Sequence, residues 1–459
     1  WFNTILTLVA LYVIWYVLSG VLPWTLNGIW NAGSLNECRE IRDARGLETA
    51  ACWAVINERW LQILFGFYPT DDPLLARLFY ADEFAAAGGY DAVFGAASNA
   101  TSRIAFVNAM KADLGNLTIF FFGYWRPLVA LALLLVAVAP ILYSSLPRKM
   151  LLFSLAYPFL AVFLLWGGSL WGPVTVALGL VASLFVARFV SAQSSALFGG
   201  LASIVFFILF FFNPLGALGI DGLFPIFPHV KGVFDAVLPF GITAIPSDIF
   251  GGFMLAIIIG TSGIVLSLPL GIALALGRQS SMPLIRWVCV TFIEVIRGVP
   301  LIVWLFTASL LLNYFLPPGT SFDLLLRVII MVTLFASAYL AEVVRGGLAA
   351  LPKGQYEAAD SLGLDYWKSM RLVVLPQALK ISIPGIVNTF IGLFKDTTLV
   401  VFIGLRDPLG LTNAIRATGE WNGIYWELYI FVALLFFTFC FFMSRYSMYL
   451  ERKLRTDHR

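Results

Sequence analysis

The chain has 459 residues, 60% of them hydrophobic and only 12% charged, with a mean hydropathy of +0.89 and a net charge of +3. Soluble domains carry about 25% charged residues, so an ordinary water-soluble fold is excluded and an all-α polytopic membrane protein is expected. So small a net charge offers nothing to nucleic acid, and two histidines, His229 and His458, argue against a histidine-based triad or zinc site.

The chain opens inside an apolar run at Trp1, so its natural start is expected upstream. Residues 1–25 are long enough to cross a hydrocarbon core of about 30 Å and too long for a typical signal-peptide core. Residues 26–125 form the one large polar region, read as an external cap. Within it, 52–69 and 106–123 have helical apolar spacing. The apolar core of this region is thin, so it is expected to lean on neighbouring spans. Asn99 and Asn116 begin N-x-T triplets, which arise by chance and carry no functional weight here. Cys38 and Cys52 have thirteen residues between them and no histidine nearby. Outside the cytoplasm they would form a disulfide worth roughly 3 kcal/mol. Cys289 and Cys440, in apolar segments, read as small buried residues.

Additional spans follow in 126–213, at about 127–146, 151–171, 174–190 and 196–213, where Gly199-Gly200 leaves a turn and a kink both open. Residues 214–248 form a Pro/Gly-rich external connector. Spans near 249–276, 284–316, 325–346, 378–404 and 425–447 fill 249–450, and 451–459 is a short tail. The total is ten candidates. Lys and Arg in the short loops fall fifteen on one side and three on the other. The positive-inside rule then puts 351–377 and the C-terminus in the cytoplasm and 26–125 outside.

The polar island Lys353–Gln377 reads as two short amphipathic helices. Pro352 and Gly354 open the first and Gly363 ends it; Asp365 caps the second, Tyr366–Leu372, and Pro376 suits the first turn of the next span. Tyr366, Trp367, Met370 and Arg371 join an aromatic anchor to a charge, the makings of a protein interface. An ordinary amphipathic surface loop is the competing reading.

Ionisable residues inside spans are costly and face protein or a watery cavity. Glu294 and Arg297, three apart, precede Gly298 and Pro300, and Glu342 and Arg345 share that spacing. Asn388, Lys395, Asp396, Thr397 and Thr398 interrupt another apolar run. Glu342 and Arg345 read as a structural clamp, with Arg345 near enough to the end to snorkel. For Glu294, Arg297, Lys395 and Asp396, clamp and substrate path stand level. A Gly-x-Pro break exposes backbone polar groups at membrane depth, as transporters do where backbone lines a cavity.

Glu357-Ala358-Ala359, Gly363 and Val373-x-Leu375-Pro376 resemble the EAA motif of ABC importer permeases, with Val373 where Ile is commonest. RGVPLIVWLF, AYLAEVVRGG, GQYEAADSLGL, LPQAL and FKDTTL follow in the order of amino-acid-type ABC permeases, over about 249–450. More narrowly, the chain resembles the permeases for general L-amino acids and for glutamate, glutamine, aspartate and asparagine, which carry an extra N-terminal half. CWAVINERWLQILFGFYP and Tyr124-Trp125-Arg126-Pro127 are similar to theirs. The chain departs at Trp304, where Gln is frequent, and between 172 and 248, which is longer by some two spans.

The resemblance implies a five-span type I importer core in a bacterial inner membrane. It implies two separate ATPase subunits, a paralogous second permease and a periplasmic amino-acid-binding protein. ATP and Mg would sit on the ATPase subunits, with no cofactor on this chain and no ATPase activity of its own; no Walker A pattern occurs in it. Coupling would run through Glu357, Ala358, Ala359, Gly363, Asp365, Tyr366, Trp367, Met370, Arg371, Leu375 and Pro376, with Asp365–Leu372 docking and Glu357–Gly363 bracing. Solute would cross between the two permeases, where Glu294, Arg297, Asn388, Lys395, Asp396 and Thr397 are candidates. A stand-alone secondary transporter driven by an ion gradient is the alternative; it predicts an inverted repeat, which the sequence does not display. A scaffold or receptor would leave the buried charges without a purpose.

Overall fold

A computed structural model describes residues 1–68, 124–143, 145–211, 225–311, 314 and 323–454. The apolar stretch 106–123, the triplets at Asn99 and Asn116, and 214–224 of the connector lie outside the described residues. The chain divides into two compact units. One takes Trp1–Phe67 with the chain from Phe250 onward, and the other takes the described residues between Tyr68 and Ile249.

In the first unit, α1 (Phe2–Leu26) is a single apolar span with no buried residue. Beyond it come α2 (Leu35–Ala44), capped by Ser34, and α3 (Ala54–Phe65). Cys38 and Cys52 are disulfide-bonded, with Cα atoms 5.9 Å apart. This small cap shares one core with the loop and helix near the C-terminus: Cys38, Trp53, Val55 and Ile63 pack in one cluster with Ile415, Trp421, Ile424 and Leu428. Polar ties secure it. The buried Glu427 accepts from Cys52 N at 2.8 Å, and Arg59 pairs with Glu420 at 2.9 Å. At the foot of the cap, Gly66 and Gly252 hold left-handed φ values. A Cβ on Gly66 would lie 2.5 Å from Gly251 Cα, so only glycine lets these two backbones cross.

In the second unit, α4 (Trp125–Leu142) and α5 (Leu151–Trp166) are tied by Ser154 and Tyr157 donating to Ala137 O and Ala130 O, at 2.6 and 3.0 Å. The helices α6 (Trp171–Gln193) and α7 (Ala196–Phe211) lie side by side, with Ser183 Oγ donating to Ser203 O at 3.0 Å. The 174–213 stretch therefore turns, but at Ser194-Ser195; Gly199 and Gly200, where the sequence left a turn or a kink open, lie inside α7. The amphipathic α8 (Ile226–Val237) stacks Phe234 on Trp171, and a two-residue ladder pairs β1 (Gly168–Ser169) with β2 (Gly241–Ile242). Buried Arg126 donates to Thr243 O at 2.7 Å.

The remainder of the first unit is chiefly helical among its described residues. Its elements are α9 (Gly252–Arg278), α10 (Pro283–Gly298), α11 (Leu301–Phe306) with a π-turn to Leu311, and α12 (Leu324–Ala349). They continue as α13 (Lys353–Ser361), α14 (Tyr366–Ser369), α15 (Leu375–Asp396), α16 (Pro408–Arg416) and α17 (Trp426–Leu454). Gly263 and Gly271 of α9 bring α12 into close contact, at Val332 and Leu340. Of the ten expected spans, seven are helices long and apolar enough to cross a membrane, among the described residues and by length and composition. An eighth is the pair α10 and α11, bent by 102° at Gly298-Val299-Pro300, while Trp125–Ile141 and Phe198–Phe211 are shorter. The five positions expected in 249–450 are all helical, the bent pair counting as one.

Asp407, at the N-terminus of α16 and outside the spans, is fully buried. Its Oδ1 accepts from Gly410 N at 2.8 Å, while Oδ2 has no hydrogen-bond partner among the described residues. Burial pushes its pKa up to about 6. The folded state therefore binds this proton more tightly than the unfolded chain, so stability falls as pH rises from about 4 to 6, and the full cost persists above pH 6. Asp407→Asn keeps the capping acceptor and removes the charge. Fluorescence-detected melts in detergent should show it more stable than wild type at pH 7.5, by up to about 3 kcal/mol, with the difference shrinking toward pH 4.5.

Candidate functional site

The polar stretch Lys353–Gln377 begins where α12 ends. Gly363 takes a left-handed φ of 68° after α13, and Leu364 N reaches back to Ala359 O at 3.2 Å, closing the helix end. Asp365 caps α14 by accepting from Lys368 N at 2.8 Å. That hydrogen bond, helped by the Lys368 ammonium, holds the Asp365 carboxyl below its ordinary range.

Here the structure corrects one expectation. Tyr366–Leu372 is not a separate short helix; α14 runs through a π-turn, Met370–Val374, straight into α15. Pro376 has no N–H to give and its ring crowds the carbonyl four residues back, so a locally widened turn lets the helix pass through it. Met370, at the start of the π-turn, points inward. It is 8% exposed and packs with Val374, Ala275, Ile293, Val344 and Leu348 in one core. Trp367 (71% exposed), Tyr366, Arg371 and Leu372 stay at the surface. Beside them is a groove of about 320 Å³, lined by Leu276, Trp367, Met370, Arg371, Leu375, Pro376 and Leu379. In α13, Ala359 is buried while Glu357 and Ala358 are exposed. The contacts fixing α13 come from residues the sequence did not single out: Gln377 donates to Gln355 at 2.9 Å, and Tyr356 OH reaches Leu348 O at 3.4 Å.

The charged residues of α10 and α12 form one cluster, together with a residue that read as a loop cation, Arg278 at the end of α9. Arg278 donates to Glu294, at 3.0 Å, and to Glu342. Arg345 donates to the other oxygen of Glu342 at 2.9 Å, and Arg297 stands 3.9 Å from Glu342. Asn388, Lys395, Asp396 and Thr397 do not join this cluster. Asn388 and Lys395, seven apart on α15, are both exposed on the helix, and among the described residues no ion pair reaches Lys395 or Asp396. Thr397 is buried and bonds to its own helix, at Phe394 O.

Trp304 acquires a role at the break. In a continuous helix Ile296 O would accept from the residue four ahead, which is Pro300 and has no N–H. Trp304 Nε1 donates to Ile296 O instead, at 3.2 Å.

A chain built this way is a polytopic transport subunit, with broken and charged membrane helices and an exposed aromatic face beside the loop. Residues 267–456 match the family described as "Binding-protein-dependent transport system inner membrane component". The chain is 50% identical to the glutamate/glutamine/aspartate/asparagine transport system permease protein BztC of Rhodobacter capsulatus, over all of this chain and 92% of that protein. It is 34% identical to the inner membrane amino-acid ABC transporter permease protein YhdY of Escherichia coli, over 99% of this chain and 90% of that one. A solved structure titled "Crystal structure of an amino acid ABC transporter with histidines" aligns with 44% of this chain and 91% of its own, at 31% identity and a TM-score of 0.40. The chain belongs to the inner-membrane permease family of ABC transport systems. It is thus a multipass inner-membrane transport component without an ATPase site of its own, and the family works with ATPase and substrate-binding partners. That membership favours an ATP-driven importer over the stand-alone transporter.

Trp304→Phe should leave Ile296 O unsatisfied and cost about 1–3 kcal/mol. Trp304→Gln, which restores an N–H donor, should recover part of it. Thermal melts of the purified protein, with both variants side by side, measure the difference.

Proposed function

We propose that this chain is the permease subunit of an ATP-driven importer of polar L-amino acids, glutamate, glutamine, aspartate and asparagine among them. The observation that carries the substrate class is its full-length 50% identity to a permease named for those four. It pairs with a paralogous permease to enclose the pathway, two ATPase subunits carry ATP and Mg, and a periplasmic amino-acid-binding protein delivers the solute. The cap faces the periplasm, and the loop 351–377 and the C-terminus face the cytoplasm, a sidedness that the charge bias of the short loops supports.

In this reading Trp367, Tyr366, Arg371 and Leu372 enter a groove of the ATPase subunit. An apolar aromatic patch exposed beside a polar loop is the composition of a docking surface. Met370, Leu375 and Pro376 transmit the movement, since the π-turn ties the docking face to α15 while Met370 engages the cores of α9, α10 and α12. Glu357, Ala358, Ala359 and Gly363 brace that face. Glu342 and Arg345 clamp the helices together. Glu294, Arg297, Asn388, Lys395, Asp396 and Thr397 line or border the path, Asn388 and Lys395 on a polar seam of α15 that lipid would not solvate and a second permease would cover.

Co-purification from cells expressing all subunits, followed by ATP-dependent uptake into proteoliposomes, tests the reading. Robust uptake by this chain alone, driven by an ion gradient without ATP, would sink it. For the docking face, Trp367→Ala should weaken ATPase retention about 30-fold, corresponding to roughly 2 kcal/mol, with Glu357→Ala less affected. The reverse order would exchange the roles of the two helices.

A further inference from the structure

The cluster joining α9, α10 and α12 contains three guanidinium groups, Arg278, Arg297 and Arg345, and two carboxylates, Glu294 and Glu342. One positive charge is left over at a place where an uncompensated charge is costly. The hydrogen bonds identify which guanidinium has donors to spare. Glu342 is fully engaged, one oxygen by Arg278 and the other by Arg345 Nε. Arg297 Nη1 lies 3.9 Å from Glu342, beyond hydrogen-bond reach, and its buried Nε has no partner among the described residues. Its guanidinium lies over the ring of Tyr339, 5.4 Å from the centroid, a contact that orients the plane without occupying a donor. The side chain is 34% exposed, and beside it in the chain Gly298 has open space where a Cβ would be.

We propose that Arg297 binds the α-carboxylate of the transported amino acid, and that Glu294 receives its ammonium group. An oriented guanidinium with free donors is the group that takes a carboxylate in a two-point contact. Glu294, one turn earlier on the same helix face, is 57% exposed and only its Oε1 is engaged, by Arg278. The dyad reads the zwitterionic head common to all amino acids and leaves the side chain to be read elsewhere. Its place is the coupling-loop end of the pathway: Arg278 closes α9, and Glu342 sits seven residues before the end of α12, which leads into the loop. The same three helices pack on Met370 and Val374, so the site lies next to the moving parts and is the last one before release. This inference rests on the amino-acid reading given above.

The test uses the assembled importer in detergent, without its binding protein, titrated calorimetrically with L-glutamine and with L-glutamine amide, in which the α-carboxylate is an uncharged amide. Wild type should bind glutamine and take the amide at least about tenfold more weakly. Arg297→Gln should weaken glutamine binding by about that factor while leaving the amide unchanged, and Arg297→Lys, which keeps the charge but loses the planar fork, should fall between. Should Arg297→Gln fail to assemble, Tyr339→Leu, which releases the guanidinium plane, should lower glutamine binding severalfold and spare the amide. Equal glutamine binding by wild type and the Arg297 variants overturns the proposal. So does a wild-type importer that transports glutamine yet does not bind it in this titration. Loss of pairing between the two permeases, with normal binding in the assembled remainder, overturns it too and assigns the missing carboxylate to the partner subunit. ATP-driven amino-acid uptake by wild type separates the two levels: its absence strikes the amino-acid reading, whereas uptake with binding unmoved by substitution strikes Arg297 alone.

Discussion

Glu342 is the charge on which the transport core converges. A carboxylate within a membrane helix is tolerated only when the protein itself replaces water around it, and here Arg278 from α9 and Arg345 from α12 fill its two oxygens while Arg297 of α10 stands close by. Three helices are thereby held in one relative position by groups with no apolar substitute in place. Removing one partner from such a set leaves the half-buried Glu342 short of a hydrogen-bonded counter-charge, a loss that exceeds the net worth of the intact pair to the extent that the group is shielded from water. The charges therefore fix the geometry of this end of the core more than they add to its stability.

The apolar core at the same end makes that geometry responsive. Ala275, Ile293, Val344 and Leu348 come from the helices that carry the charges, and Met370 and Val374 come from the turn behind the exposed Trp367. Close-packed interiors pass displacement on rather than absorb it. A push on Trp367 reaches Met370 within one turn, and Met370 touches the layer on which the ion pairs rest. The π-turn accommodates Pro376 and keeps α14 continuous with α15, while Met370 lies inward and Trp367 outward. At the other end of the unit, the disulfide-linked cap is fastened to the start of α17 through Glu427 and to Glu420 through Arg59 and the backbone N–H of Leu35, while Gly66 at its foot bridges Phe250 at the entry to α9. The cap is small, yet it shares its core with the last span and so has the apolar contacts it lacks on its own.

The break at Gly298-Val299-Pro300 shows how a departure in sequence is accommodated in space. A bend of 102° frees carbonyl groups that a straight helix would satisfy. Trp304 supplies the N–H that Pro300 lacks, by a side chain reaching back over eight residues. An indole can do this while its apolar body stays partly buried against the protein.

What the sequence determined by itself rests on local and compositional physics. Hydropathy over some twenty residues locates helices, because an unsatisfied backbone cannot sit in lipid; among the described residues each of the ten apolar stretches is helical, one as a bent pair and two as shorter helices. The Gly-x-Pro break, the Gly363 turn and the Asp365 cap were equally legible, since each depends on the conformational limits of one or two residues. The spacing around Glu357, Gly363 and Pro376 already pointed to the permease family that full-length identity establishes. Tertiary structure decided the rest. Arg278 read as a loop cation because nothing local shows that two carboxylates, 16 and 64 residues away, will fold against it. Met370 read as part of a docking face because it stands one turn from Trp367, and only the packing of α9, α10 and α12 against that turn shows that it is buried. Asp407 gave no local sign of its burial, and Arg297 none of its unpaired Nε, since burial and hydrogen-bond partners depend on segments distant in the chain. Periodicity and turn chemistry are local and can be read along the chain; the pairing of charges across helices is not, and it is there that the candidate site takes its shape.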